Sequence, residues 1–297
     1  MRGRRRAVAI GVRVCGALLA VGACGAPDAD APSDDALPAA LAVWREAPPT
    51  DLAASLGADD YGVDSVPSPG GELRVTVRLD GDWPADTLSR PTHDLTSCRP
   101  VPVAPLRGGP DGVADALVWL VGVTHGPADA APRRATLALE GCVLTPRLTR
   151  VPRGATLLVR NADAMTSRLR FSEVARTRPG PAGDSTAARA LAPPIAPRAF
   201  APFTDAGAVT PLTEVAGTPG LVRVTDDHHP WVSGWVAVAP HPFVALSDAR
   251  GQVAFREVPP GRYVLVVWHE RLGARSEVVL VEAGIPSRVS VTLPGER

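Results

Sequence analysis

The sequence predicts an all-β protein made of small sandwiches, and three observations lead there. From Glu72 to Asp80, Leu73, Val75, Val77 and Leu79 alternate with polar residues, which is the period of a strand with one buried face. Further short apolar runs follow, each bounded by Pro or Gly, residues that set turns and interrupt helices. No long amphipathic helical period occurs, so the elements to be packed are strands, and strands in this number and spacing make sandwiches.

Ahead of the first strand, Met1-Arg-Gly-Arg-Arg-Arg6 is a basic opening, followed by an apolar stretch from Ala7 to Ala23 broken by Arg13. A membrane span needs ~20 apolar residues, so this stretch reads as a signal peptide covering residues 1–23. Val21-Gly22-Ala23-Cys24 is a lipoprotein box, in which the Cys24 thiol receives the lipid and becomes the mature N-terminus. An ordinary cleavage site with an incidental cysteine is the plainer alternative. Arg13 disqualifies Cys15 from the same part. Residues 24–69, rich in Ala, Pro and Asp, read as a lipid-anchored flexible tether, with a short helix expected around Asp35 to Trp44.

Formal net charge is zero and every basic residue is Arg, so nothing steers the chain towards nucleic acid. Once Cys15 is removed and Cys24 acylated, Cys98 and Cys142 remain. In an oxidising compartment they are expected to form one disulfide, against the alternative of two buried thiols. Such a bridge closes a loop of about forty residues and stabilises by ~3–4 kcal/mol in the chain-entropy model.

The remaining strands are placed in order. Ala116 to Val121 is continuously apolar and suits an interior strand. Ala135 to Leu144, Ala155 to Asn161 and Arg168 to Phe171 follow. Residues 178–220, rich in Pro and Ala, read as a long surface loop. Strands resume at Leu221 to Val224 and Trp231 to Ala239. In the last sixty residues, Val244 to Ser247, Gln252 to Phe255, Arg262 to Trp268, Glu277 to Val281 and Arg288 to Leu293 are separated by the turns Asp248-Ala-Arg-Gly251 and Pro259-Pro-Gly261.

Asp248-x-x-Gly251, Val258-Pro-Pro-Gly-Arg-Tyr263 and Trp268-His-Glu270 resemble the carboxypeptidase regulatory-like module, which implies a small transthyretin-like β-sandwich over residues 241–297 with no catalysis of its own. Val118-Trp-Leu120, Gly141-Cys-Val-Leu-Thr-Pro146, Arg153-Gly154, Asn161-Ala-Asp163 and His229-Pro-Trp231 resemble the cupredoxin-like region of a group of bacterial exported proteins. That likeness implies a cupredoxin-like β-sandwich over residues 70–240. In those relatives two histidines, a cysteine thiolate and a methionine hold copper, the set that trigonal blue-copper chemistry requires. Here the corresponding positions carry Ser167, Asp226, His229 and Val232, and only His229 can serve. A thiolate-dependent copper centre is therefore not expected, and no cofactor is assigned.

Asp226-Asp-His-His229 is the densest group of candidate ligands. On a continuous strand, alternation would pair Asp226 with His228 or Asp227 with His229, with His241 or His125 as guesses for a third donor. The plainer reading is a polar loop left by a lost copper site. His269 is expected to be a packed histidine, Glu270 and Glu277 ordinary solvated residues, and Trp231 and Trp235 neighbours on one face. No nucleophile elbow, His-Glu-x-x-His pair or phosphate-binding glycine loop is present.

The expectation is thus a non-enzymatic cell-envelope lipoprotein, periplasmic or at the cell surface. It meets the membrane through its anchor and an envelope protein or glycan through its folded part. Gly25 carries no Asp-type retention signal, which leans towards the outer membrane. The alternative is a metal-handling or electron-transfer protein with a rebuilt copper site near His229.

Overall fold

The computed structural model describes residues 52–57, 60–66, 69–174, 197–201 and 205–295, all within the unit Asp34–Arg297. Cys24, the signal peptide and the helix expected at Asp35 to Trp44 lie outside them. Among the described residues no helix is long and apolar enough to cross a membrane.

Among the described residues, four sheets of three or more strands are built around three apolar cores. The strands Val143–Thr145, Arg134–Glu140, Thr156–Asn161 and Val209–Leu212 form the first sheet in that order. The second orders Leu148–Pro152, Ser233–Ala239, Gly220–Asp226, Leu169–Glu173 and Pro197–Phe200. Leu137, Leu157, Phe171, Val224 and Val236 fill the space between them. A third sheet orders Val244–Leu246, Leu117–Val121, Gly261–His269 and Gly273–Val281, and a fourth orders Gln252–Val258, Gly71–Asp80 and Pro286–Pro294. Leu73, Val75, Val118, Leu265 and Phe255 pack between this pair. The second and third sheets share the remaining core, in which Trp119, Val121, Val264 and Trp268 meet Leu148, Leu221, Trp235 and Ala237.

This layering explains why Leu117–Val121 is apolar at every position. Alternate residues of a strand point to opposite faces; Val118 and Leu120 enter one core while Leu117, Trp119 and Val121 enter the next. Both faces are dry, so no polar position survives. In Gly71–Asp80, by contrast, burial alternates, with Gly71, Leu73, Val75 and Val77 buried, because that sheet has solvent on its other side.

Sheet membership does not follow the boundary expected at residue 240. The Gly71–Asp80 strand, expected to open the sandwich of residues 70–240, lies between Gln252–Val258 and Pro286–Pro294. Leu117–Val121 pairs with Val244–Leu246 and Gly261–His269. The C-terminal strands thus complete a framing sandwich begun by residues 71–121, and residues 134–239 form a second sandwich inserted into it.

Other expectations change with the pairing. Residues 178–220 are not loop throughout, since Pro197–Phe200 and Val209–Leu212 each add a strand at a sheet edge. The stretch expected as tether docks near its end: Leu52–Gly57 is helical and Leu56 is buried in the shared core. The single strand expected over Ala135 to Leu144 is a hairpin turned at Gly141-Cys142. Both turn residues have positive φ, as a two-residue hairpin turn of right-handed twist requires.

Candidate functional site

The second turn of interest leaves the strand Gly220–Asp226 and returns as Ser233–Ala239. Asp226 is the last strand residue and its side chain is fully buried. Its carboxylate is held by the turn itself: Oδ1 accepts the backbone N–H of His228 at 2.7 Å and of His229 at 2.9 Å. The His229 ring turns back so that Nδ1 lies 3.0 Å from the same oxygen. Oδ2 accepts the Ser167 hydroxyl in a short hydrogen bond and the Arg168 N–H at 3.2 Å. A buried carboxylate without partners is costly, and here five donors surround it.

The four positions inferred from the cupredoxin resemblance therefore converge in space. Ser167 and His229 both bond Asp226, and Val232 is buried beside them, its carbonyl accepting the Asp226 N–H at 3.3 Å. The pairings expected for Asp226-Asp-His-His229 on a continuous strand do not form. The chain turns after Asp226, so residues three apart meet, and Asp226 pairs with His229. Asp227 points elsewhere, with Oδ1 accepting Arg170 Nε at 2.9 Å.

The further donors come from a segment the sequence did not single out. Thr87–Ser89 pairs with Val101–Val103, and the loop between them carries His93, Asp94 and Cys98. Cys98 is joined to Cys142, with Cα atoms 5.6 Å apart. Asp94 Oδ2 reaches 3.0 Å from His229 Nε2, and the His93 ring lies 5.1 Å from the His229 ring, centroid to centroid. One donor atom from each of His93, Asp94 and His229 falls within 4.8 Å of the others. His93 and Asp94 are exposed and His229 is buried. Trp231 flanks both rings, 4.9 Å from His93 and 5.3 Å from His229.

The loop is fixed from below. Asp163 accepts the Gly141 and Cys142 N–H groups through its two carboxylate oxygens, each at 2.7 Å. Asn161 Oδ1 accepts the Asp163 N–H at 3.1 Å, and Asn161 Nδ2 donates to the Met165 carbonyl at 2.6 Å. Met165 packs its sulfur against the disulfide, 3.5 Å from Cys98 Sγ. The Asn161-x-Asp163 corner thus holds the hairpin turn, the disulfide hangs on that turn, and the loop with His93 and Asp94 hangs on the disulfide. The available signal was the position of Cys98, four residues after Asp94 and predicted to bond a cysteine of the inserted sandwich.

His125 and His241, the guesses for a third donor, are elsewhere. His125 Nδ1 faces Asp64 at 3.2 Å, and His241 is buried against Tyr61 and Phe243. Trp231 and Trp235 do not share a face, because residue 231 still belongs to the turn; Trp231 joins the inserted core and Trp235 the shared one.

A cavity of about 260 Å³ lies beside the shared core, lined by Pro146, Arg147, Trp235, Trp268, His269 and Glu270 among others. Glu270, expected to be solvated, forms a short ion pair with Arg147 and accepts the Trp235 indole N–H at 2.9 Å. Burial pushes the His269 imidazole down to about 4, only partly opposed by the neighbouring Glu270 carboxylate. Its Nδ1 accepts the Arg271 N–H at 3.2 Å. The polar groups here satisfy one another and join the two sandwiches.

No family model matches the chain, and no curated protein matches it. Among solved structures, it is similar to copper(I) amicyanin variants at 16–18% identity and a TM-score of 0.27, over 37% of this chain and 85% of theirs. It is similar to reduced auracyanin from Roseiflexus castenholzii at 18% identity and a TM-score of 0.26, over 37% of this chain and 100% of that one. A purple cupredoxin from Nitrosopumilus maritimus matches at 14% identity and a TM-score of 0.25, over 35% of this chain and 99% of that one. These scores are low, and the chemistry of the site is decided by its own side chains.

Proposed function

We propose that this protein is a lipid-anchored, non-enzymatic component of the bacterial cell envelope that binds a ligand or partner and does not transfer electrons. We read the inserted sandwich as a cupredoxin-like scaffold that has lost the blue-copper ligand set, and the framing sandwich as a transthyretin-like module of carboxypeptidase regulatory type. The observation that carries the reading is the Asp226 carboxylate. It stands where the resemblance places the thiolate, and its two oxygens are occupied by five donors from the chain itself. Blue-copper electron transfer depends on a Cu–S bond; Ser167 adds only a hydroxyl, and Val232 has no donor.

Two experiments test it. Purified mature protein exposed to copper(II) is expected to develop no intense blue thiolate band, and an intense band that cycles with a reductant would overturn the reading. In cells, labelled lipid is expected on the wild type and lost from Cys24→Ser. Labelling that survives the substitution removes the anchor from the proposal. A second reading, metal handling without electron transfer, is favoured by the closeness of His93, Asp94 and His229.

A further inference from the structure

His229 is held between two carboxylates. Asp226 accepts hydrogen bonds only, so the ring nitrogen facing it, Nδ1 at 3.0 Å, carries the hydrogen. A neutral imidazole then presents a bare lone pair at Nε2, and that atom faces Asp94 Oδ2, a second acceptor, at 3.0 Å. Two acceptors at this distance repel unless a cation lies between them. A proton on Nε2 would do, and so would a metal ion. The sequence neighbour of Asp94 decides which: His93 brings a further imidazole donor within 4.8 Å of both atoms, an arrangement that a lone proton does not need.

We propose that His93, Asp94 and His229 bind one borderline divalent cation, of the zinc or thiolate-free copper(II) class, with Asp226 as the positioning carboxylate. Imidazole and carboxylate together suit these ions. Ligand bonds of ~2.0–2.2 Å place adjacent donors roughly 3 Å apart, which the Asp94–His229 pair already matches. His93 is exposed and its ring closes the remaining distance by side-chain rotation, exchanging the 3.2 Å contact of its Nδ1 with the Thr92 hydroxyl. Carboxylate–histidine–metal is the usual second-layer device for fixing the ring and its tautomer, and Asp226 supplies it from inside the core. Three protein ligands leave a further position open to water or a partner's donor. This rests on and deepens the metal-handling reading of the site, while the electron-transfer-free reading stands whether or not an ion binds.

The test uses the full mature protein, stripped with chelator and dialysed, then titrated with zinc sulfate and with copper sulfate by calorimetry. Metal retained after gel filtration is measured in parallel. One equivalent retained is expected, and copper(II) loading should give a paramagnetic spectrum with imidazole nitrogen couplings and no thiolate band. Asp94→Ala and His93→Ala, both at exposed positions, should each weaken binding roughly tenfold or more while leaving the metal-free protein folded. Asp226→Asn should weaken it roughly tenfold to a hundredfold. His125→Ala, at an exposed histidine outside the cluster, should leave it unchanged. Failure to retain either metal in a folded wild type overturns the proposal. Retention that survives both Asp94→Ala and His93→Ala overturns it equally.

Discussion

Asp226 and Glu270 are carboxylates that the fold withdraws from water in different ways. Glu270 faces a guanidinium, that of Arg147, and an indole N–H, and so balances its charge within a contact joining the two sandwiches. Asp226 is surrounded instead by backbone N–H groups, a hydroxyl and an imidazole. Glu270 therefore leaves nothing over. Asp226 spends one of its bonds on orienting a histidine whose other nitrogen points outward. The difference teaches how to separate a buried charge that joins from one that positions: the first has a counter-charge, and the second has a ring whose far nitrogen meets another carboxylate.

Removing the carboxylates is the direct way to break this comparison. Asp226→Ala strands three backbone donors, a hydroxyl and an imidazole in the interior, and is expected to cost about 4 kcal/mol in urea unfolding. A loss below about 1 kcal/mol would mean that water replaces the carboxylate, and that the network does not hold the turn. Reduction of the Cys98–Cys142 bridge, across a sequence separation of 44, is expected to cost ~3–4 kcal/mol. It should also weaken metal retention, since the bridge holds the loop of His93 and Asp94; retention unaffected by reduction would show that the loop is fixed by other contacts.

His269 sharpens the comparison through pH. Its imidazole is held down to about 4 in the folded protein, against about 6.5 in the unfolded chain. The unfolded state thus binds more protons between these values, and stability falls as pH is lowered from about 6.5 to about 4, by about 3 kcal/mol. His269→Gln should flatten that slope in unfolding measured at pH 7 and pH 4.5; an unchanged slope would assign it to other groups. Glu270→Gln, which leaves Arg147 its bond to the Ser233 carbonyl at 3.0 Å, is expected to cost about 2 kcal/mol, less than Asp226→Ala. The reverse order would defeat the distinction. Smallest is Asp94→Ala, at a position 45% exposed but with positive φ, expected to cost no more than about 1 kcal/mol.

What the sequence made legible follows from local periodicity. The alternation of Leu73, Val75 and Val77 and the unbroken run Leu117–Val121 report directly how many faces of a strand are dry. Periodicity is silent about which strand lies alongside, so Glu72 beside Pro286 could not be read from either segment. The site divides the same way. Ser167, Asp226, His229 and Val232 were marked by resemblance and do meet. His93 and Asp94 sit in a polar loop with no pattern of its own, and only the disulfide ties them to the place where they matter. The strand rule also misled at Asp226, because alternation ends where the chain turns.

The side-by-side placement of Gly71–Asp80 and Pro286–Pro294 has a kinetic consequence. In a chain delivered N-terminus first, Gly71–Asp80 must wait for Pro286–Pro294, more than two hundred residues later. The inserted strands, from Arg134 to Ala239, find all their partners among themselves and can assemble sooner. Pairings this distant are slow to form, so the outer layers of the molecule stay open until the final strand has emerged.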